Sequence, residues 1–266
     1  MRESDRTDMG GVTEHFLTTH WSIIEHVKDQ QSPDGAMIES LLKRYWKPVY
    51  CYLRRKGYGN ERSKDLTQGF FCAVVLDRDL VQRADRTRGR FRTFLLHALD
   101  QYVINENAKQ NAQKRHPQGR VLSLDSEDLP ELPAWVNEQD SQHVFDYAWM
   151  STLLDSVMSE VETFYTDQDK SVYWHLLYDR IVQPILDNTK PPTLPELSET
   201  YDIESQRKVS NMLVTAKRHF QQELMRQLRL TVLDEETTHE ELEEIIGFFS
   251  QGAQYPDKLR DILPDE

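Results

Sequence analysis

Almost every apolar residue between Met37 and Phe249 recurs three or four positions after another apolar residue, which is the spacing of one buried face on an α-helix. The first such stripe is Ile38, Leu41, Leu42, Tyr45, Trp46, Val49, Tyr50 and Leu53, and it stops at Gly57. A second runs through Leu66, Phe70, Phe71, Val74 and Val75, and a third through Phe91, Phe94, Leu95, Ala98, Leu99, Tyr102 and Val103. No segment alternates apolar and polar residues as a half-buried strand would. An all-α fold is therefore expected. Past Ile104 the third helix keeps good helix formers in NENAKQNAQKR but loses its apolar residues, so its last turns are expected to face solvent or a partner.

Residues 116–142 break the periodicity, with Pro117, Pro130, Pro133 and scattered acids, and read as an acidic linker between two helical domains. The first domain spans 18–115 after a flexible N-terminus of residues 1–17. A second, at 143–230, opens with the stripe Val144, Tyr147, Met150, Leu154, Val157, Val161, Phe164 and continues through Val172, Tyr173, Leu176, Leu177, Ile181 and Ile185. Pro191, Pro192 and Pro195 reset the pattern. A short helix with Leu194 and Leu197, a polar turn over Tyr201 to Ser205, and a long helix striped by Val209, Leu213, Ala216, Phe220, Leu224 and Leu228 then form a helix-turn-helix at 194–229. The remaining residues, 231–266, form an acidic helical extension whose apolar residues Leu242, Ile245, Ile246 and Phe249 are expected to pack on the second domain.

The chain of 266 residues has a net charge of -13, and its distribution says more than its total. Residues 43–120 carry 18 basic and 7 acidic side chains, and residues 206–229 carry 6 and 1. Residues 121–205 carry 3 basic and 18 acidic side chains, and residues 230–266 carry 2 and 11. Two basic islands thus stand in an acidic chain, each on a helical motif. In the first, RADRTRGRFR sets Arg83, Arg86, Arg88, Arg90 and Arg92 in and beside the loop before the third helix, a local positive field suited to a phosphate backbone. In the second, Arg207, Lys208, Asn211, Thr215 and Arg218 fall opposite the apolar stripe of the long helix. Arg and Asn pair bidentately with base edges in the major groove, and Lys neutralises phosphates.

Catalytic signatures are missing from the sequence. The nine histidines are scattered, and His239-Glu240-Glu241 lacks the second histidine four residues on that a zinc helix needs. There is no glycine-rich phosphate loop, no Gly-x-Ser-x-Gly elbow and no well-placed Cys–His pair. Neither an enzyme nor a cofactor or metal is expected. Cys51 and Cys72 sit in apolar helical surroundings rather than in a disulfide pattern, and no apolar run reaches membrane-span or signal-core length. A cytoplasmic protein is expected.

TTHWSII (Thr18 to Ile24), RYWKPVYCYLRRKGY (Arg44 to Tyr58), KDLTQGFF (Lys64 to Phe71) and RGRFRTFLLHALDQYVINE (Arg88 to Glu106) together resemble region 2 of the extracytoplasmic-function (ECF) group of bacterial sigma-70-type initiation factors. VSNMLVTAKRHFQQEL (Val209 to Leu224) and the turn before it resemble region 4 of the same family, so the likeness runs from about residue 18 to 230 in family order. The resemblance implies a sigma factor that binds core RNA polymerase and directs it to promoters. It places Asp65, Leu66, Gln68 and Phe71 on the surface that docks on the β′ clamp helices. Arg86, Arg88, Arg90, Arg92, Asn105, Lys109, Lys114 and Arg115 correspond to the part that melts and reads the -10 element. Arg207, Lys208, Asn211, Thr215 and Arg218 correspond to the helix that reads the -35 element beside the β flap. An anti-sigma factor is a further partner of such proteins. Where relatives are rich in arginine, however, this chain has Asp100, Asn105, Asn107, Ala108, Lys109 and Asn111. That thinning is what a sigma-derived adaptor, retaining polymerase binding without promoter reading, would show. The excess acid of residues 121–205 further suggests an internal cover for the basic islands.

Overall fold

A computed structural model describes residues 35–76, 90–113, 140–186, 189–232 and 235–252. The described residues are helical and contain no strand. In order they form α1 (Gly35–Arg55), α2 (Asn60–Leu76), α3 (Phe91–Gln113), α4 (Ser141–Asp167) and α5 (Ser171–Leu177). A π-helical turn (Tyr178–Val182) leads into α6 (Gln183–Leu186), followed by α7 (Leu194–Thr200), α8 (Gln206–Arg229) and α9 (Glu235–Gly252). The expected N-terminal segment 1–17, the TTHWSII motif and linker residues 116–139 lie outside the described residues.

Local chemistry explains where these helices begin. Asp140 caps α4, its carboxylate accepting the backbone N–H groups of Gln142 at 2.9 Å and His143 at 3.0 Å. Thr193 and Glu196 form a reciprocal capping box on α7, with Pro195 in the first turn where its missing N–H costs nothing. Ser205 caps α8 by accepting the Lys208 N–H. Between α7 and α8 the chain reverses at Asp202, in the left-handed region at φ 50°, and the Ile203 N–H closes on the Ser198 carbonyl at 2.9 Å. Pro48 lies inside α1, a residue the apolar spacing had passed over. It removes the N–H that the Arg44 carbonyl would otherwise accept, and α1 continues because its apolar face is buried on both sides of that position.

Helices from both sides of the expected linker meet in one buried cluster. Leu41, Tyr45, Val49 and Leu53 of α1, Phe70 of α2 and Phe91, Leu95 and Leu99 of α3 share one buried cluster with Phe145, Trp149, Leu153 and Val157 of α4, Phe220 and Leu224 of α8 and Ile245 of α9. The long helix α4 is the spine, packed against α1, α5 and α8. Tyr45 packs edge-on against Phe91 with ring centroids 5.3 Å apart, and Tyr52 packs edge-on against Phe145 at 6.3 Å. Arg44, itself buried, donates to the backbone carbonyl and the side-chain oxygen of Gln227 near the end of α8. A smaller cluster of Leu176, Leu197, Val209, Met212 and Leu213 holds α7 against α8 and makes the helix-turn-helix a packed unit.

Because both groups of helices meet on α4, they are expected to unfold together. Trp149→Ala, which empties the largest fully buried side chain, should cost about 3–5 kcal/mol. Chemical denaturation followed by circular dichroism and by tryptophan fluorescence should then give one coincident transition at lower denaturant. Two separated transitions would mean two cores.

Candidate nucleic-acid and polymerase surfaces

On α8 the outward residues expected from the sequence are brought together. Arg207, Lys208, Asn211, Thr215 and Arg218 are all exposed, and at 3.6 residues per turn they lie within an arc of about 100° opposite Val209, Leu213 and Ala216. Two of them have internal partners. Lys208 Nζ lies 3.3 Å from the Glu204 carboxylate, an exposed contact that solvent screens, and the Thr215 hydroxyl donates to the Asn211 carbonyl at 2.9 Å. Val214 lies just outside that arc, beside Arg207 and Arg218, and is 45% exposed, which puts a branched apolar group at the edge of the polar face. Sequence reading missed it, although a valine outside the apolar stripe was a visible signal. The face is not uniformly basic, since exposed Glu196, Glu199, Asp202 and Glu204 lie on α7 and the turn before α8. On the flank of α8 beside it a cavity of about 320 Å³ is lined by Arg180, Ile181, Pro191, Leu194, Val214 and Lys217 among others.

On α2 the four expected contact residues divide. Asp65 and Gln68 are exposed three residues apart, while Leu66 and Phe71 are buried in the core at 1% and 3% exposure. Leu66 and Phe71 therefore support the surface from below rather than forming it. Phe71 stacks on half-exposed Trp46 with ring centroids 6.1 Å apart, which links α2 to an aromatic edge on α1. Gly69 has its own role, because a Cβ there would run into the Tyr102 hydroxyl of α3.

The head of α3 differs most from expectation. Arg92 is 6% exposed and reaches Asp146 of α4 together with Glu241 and Glu244 of α9, lying 3.0 Å from Glu241. Its guanidinium also lies over the Trp149 ring, 5.0 Å from the centroid. Arg90 reaches Glu240 at 3.3 Å, Glu241 at 3.4 Å and Glu244. The phosphate contacts expected of Arg90 and Arg92 are thus replaced, in this structure, by carboxylates of the chain itself. Glu241 is fully buried because it shares a helical stripe with Thr238, Leu242 and Ile245, and Arg92 is the cation that makes its burial tolerable. Four carboxyls surround two guanidiniums, so burial raises the Glu241 and Asp146 carboxyls above their ordinary values even against the pull of Arg92. Burial acts on Glu244 in the same sense, but its bonds to Arg90 and the charge of Arg92 outweigh it and lower its carboxyl.

Farther along α3, Asn105 and Lys109 are exposed, with Lys109 Nζ 2.9 Å from Glu106, while Asn107 donates to the Tyr58 hydroxyl at 2.7 Å. Asp100, one of the departures from the arginine-rich pattern, accepts from the Tyr52 hydroxyl at 2.7 Å and pairs with Lys56 at 2.5 Å. Its acidity therefore serves the contact between α1 and α3. Arg86, Arg88, Lys114 and Arg115 lie outside the described residues. Among the described residues no group of His, Cys, Asp and Glu is placed to hold a metal ion, and no helix is long and apolar enough to cross a membrane.

Comparison with protein-family models, with curated proteins and with solved structures returns no match for this chain.

Two classes of arginine follow from that geometry. Arg92→Ala should destabilise the fold by about 3–5 kcal/mol, because it strands partly buried Asp146 without its cation and leaves buried Glu241 only Arg90 at 3.4 Å. Arg207→Ala, on an exposed helix face, should change stability by no more than about 0.5 kcal/mol. Urea midpoints of the two variants check this, and equal midpoints would contradict it.

Proposed function

We propose that this chain is an ECF-type sigma factor, which binds core RNA polymerase and directs it to promoters through -10 and -35 elements, without a catalytic site or cofactor of its own and in the cytoplasm. The observation that carries the reading is the exposed face of α8. It gathers Arg207, Lys208, Asn211 and Arg218 within one arc, on a helix held by its own apolar cluster against α7. A recognition helix needs this combination of bidentate hydrogen-bonding groups, phosphate-neutralising cations and rigid support. Val214 at the edge of that arc adds an apolar group of the kind that meets a thymine methyl. Asp65 and Gln68, exposed on α2 over buried Leu66 and Phe71, supply a polar contact edge on a stiff base for the β′ clamp helices, with Trp46 as the adjoining aromatic. In this reading the sigma region 2-like and region 4-like helices are two functional halves that share one core.

A second reading is favoured by specific observations. Arg90 and Arg92 are held by Asp146, Glu240, Glu241 and Glu244, and α7 turns acid toward the approach to α8. A sigma-derived adaptor that keeps the polymerase surface but does not read promoters would have both features.

Run-off transcription with purified core enzyme separates the two, since both should bind core and only a sigma factor should initiate. Asp65→Arg should abolish core binding in a pull-down, whereas Arg207→Ala combined with Asn211→Ala should leave it intact and weaken or relax promoter choice by about 1–3 kcal/mol per lost base contact. Equal loss of core binding in both variants would break the assignment of surfaces, and absence of core binding by the wild type would remove both readings.

A further inference from the structure

The acidic C-terminal helix does not pack on the second group of helices alone. It also bridges to the first, and the way it does so divides into two layers. The inner layer is the buried part: Arg92, Asp146 and Glu241, backed by Leu242 and Ile245 in the main core. A backbone bond beside it, from the Phe91 N–H to the Thr231 carbonyl at 3.4 Å, ties the first residue of α3 to the segment just before α9. The outer layer is Arg90 with Glu240 and Glu244, whose side chains are 59% and 47% exposed; Glu244 also reaches Arg92, and Arg90 also lies 3.4 Å from Glu241. Contacts between charges this open to water are weak and screened by salt. The inner layer holds the helix in place, while the outer layer presents carboxylates to the one arginine of this group that solvent still reaches.

Carboxylates spaced along a helix and a phosphate backbone offer a guanidinium the same thing, a row of anionic oxygens for charge-assisted bonds. We propose that the outer face of α9 is a built-in competitor for a nucleic-acid backbone: in the free protein Glu240 and Glu244 occupy the cationic surface of Arg90, and a phosphate backbone binds there by displacing them. The proposal rests on the reading of the α3 head as a nucleic-acid surface. It requires Glu240 to swing away from Arg90 and Glu244 to leave both Arg90 and Arg92, while Arg92 stays paired with Glu241 and Asp146 and keeps α9 in place.

The test uses the full-length chain and a fluorescein-labelled single-stranded oligonucleotide of arbitrary sequence, with anisotropy read over a range of salt. Glu240→Gln with Glu244→Gln should bind about three- to tenfold tighter than wild type near 50 mM salt. Its log–log salt slope should steepen by about 0.9 for each phosphate gained. Glu236→Gln with Glu243→Gln, on exposed α9 positions, changes net charge equally and should stay within about twofold of wild type by the same electrostatic argument. Adding Arg90→Ala to the Glu240/Glu244 variant should abolish the gain. In the wild-type background Arg90→Ala should also weaken binding, by less than it does in the Glu240/Glu244 variant because the wild-type arginine must first give up its carboxylates, and this arm is read on its own if the double variant folds poorly. The proposal falls if the two double variants behave alike, if the gain survives Arg90→Ala, or if Arg90→Ala leaves the affinity of the otherwise wild-type protein unaltered. A gain without any binding to purified core polymerase would keep this proposal and remove the sigma reading; core binding without the gain would do the reverse.

Discussion

The guanidinium of Arg92 is the joint on which the described structure closes. It comes from the head of α3, lies over Trp149 of the central helix α4, and draws in one carboxylate from α4 and two from α9. Buried ion pairs gain little net stability over apolar side chains of equal volume, yet removing one partner strands the other in a poorly solvated place. An arrangement of this kind specifies which helices meet more than how strongly they do. Leu242 and Ile245 would fit many apolar surfaces, whereas Glu241 between them tolerates burial only where a cation waits.

That joint gives the basic islands different meanings. On α8 the cations stand away from the core on a helix capped by Ser205 and backed by α7, so they remain available to an anionic partner. At the start of α3 the same residue type has been recruited inward. Charge counted along the chain gave one class of arginine, and packing splits it into two. The acid placed between the islands in the sequence was expected to be the cover; among the described residues the cover on Arg90 and Arg92 is mainly α9, with Asp146 the one contributor from residues 121–205.

The helices were legible because burial of one face imposes a three-to-four residue rhythm, and Leu41, Tyr45 and Val49, or Val209, Leu213 and Ala216, follow it into the core. Periodicity states which face is buried and not against what, so a proline-rich interval between two sets of stripes read as a boundary between cores although Tyr45 and Phe91 pack in the same cluster as Trp149. Leu66 and Phe71 illustrate the same limit: their motif singled them out with Asp65 and Gln68, but alternate sides of one helix separate support from contact. Arg44 and Glu241 were hidden for a different reason. Charged residues are assigned to solvent by default, and only their position within apolar stripes, Arg44 just before Tyr45 and Glu241 just before Leu242, marked them as buried.

Whether a polyanion takes Arg90 from the carboxylates of α9 is read most directly at the guanidinium groups themselves. The Nε–H resonances of the arginine side chains of the full-length protein, followed by nitrogen-15 NMR with and without saturating single-stranded DNA and assigned for Arg90 with Arg90→Lys, report each group's partners. The Arg90 resonance should move on DNA binding while that of Arg92, whose Nε–H donates to Glu241, stays in place. An Arg90 resonance that stays put while DNA is bound would contradict the account.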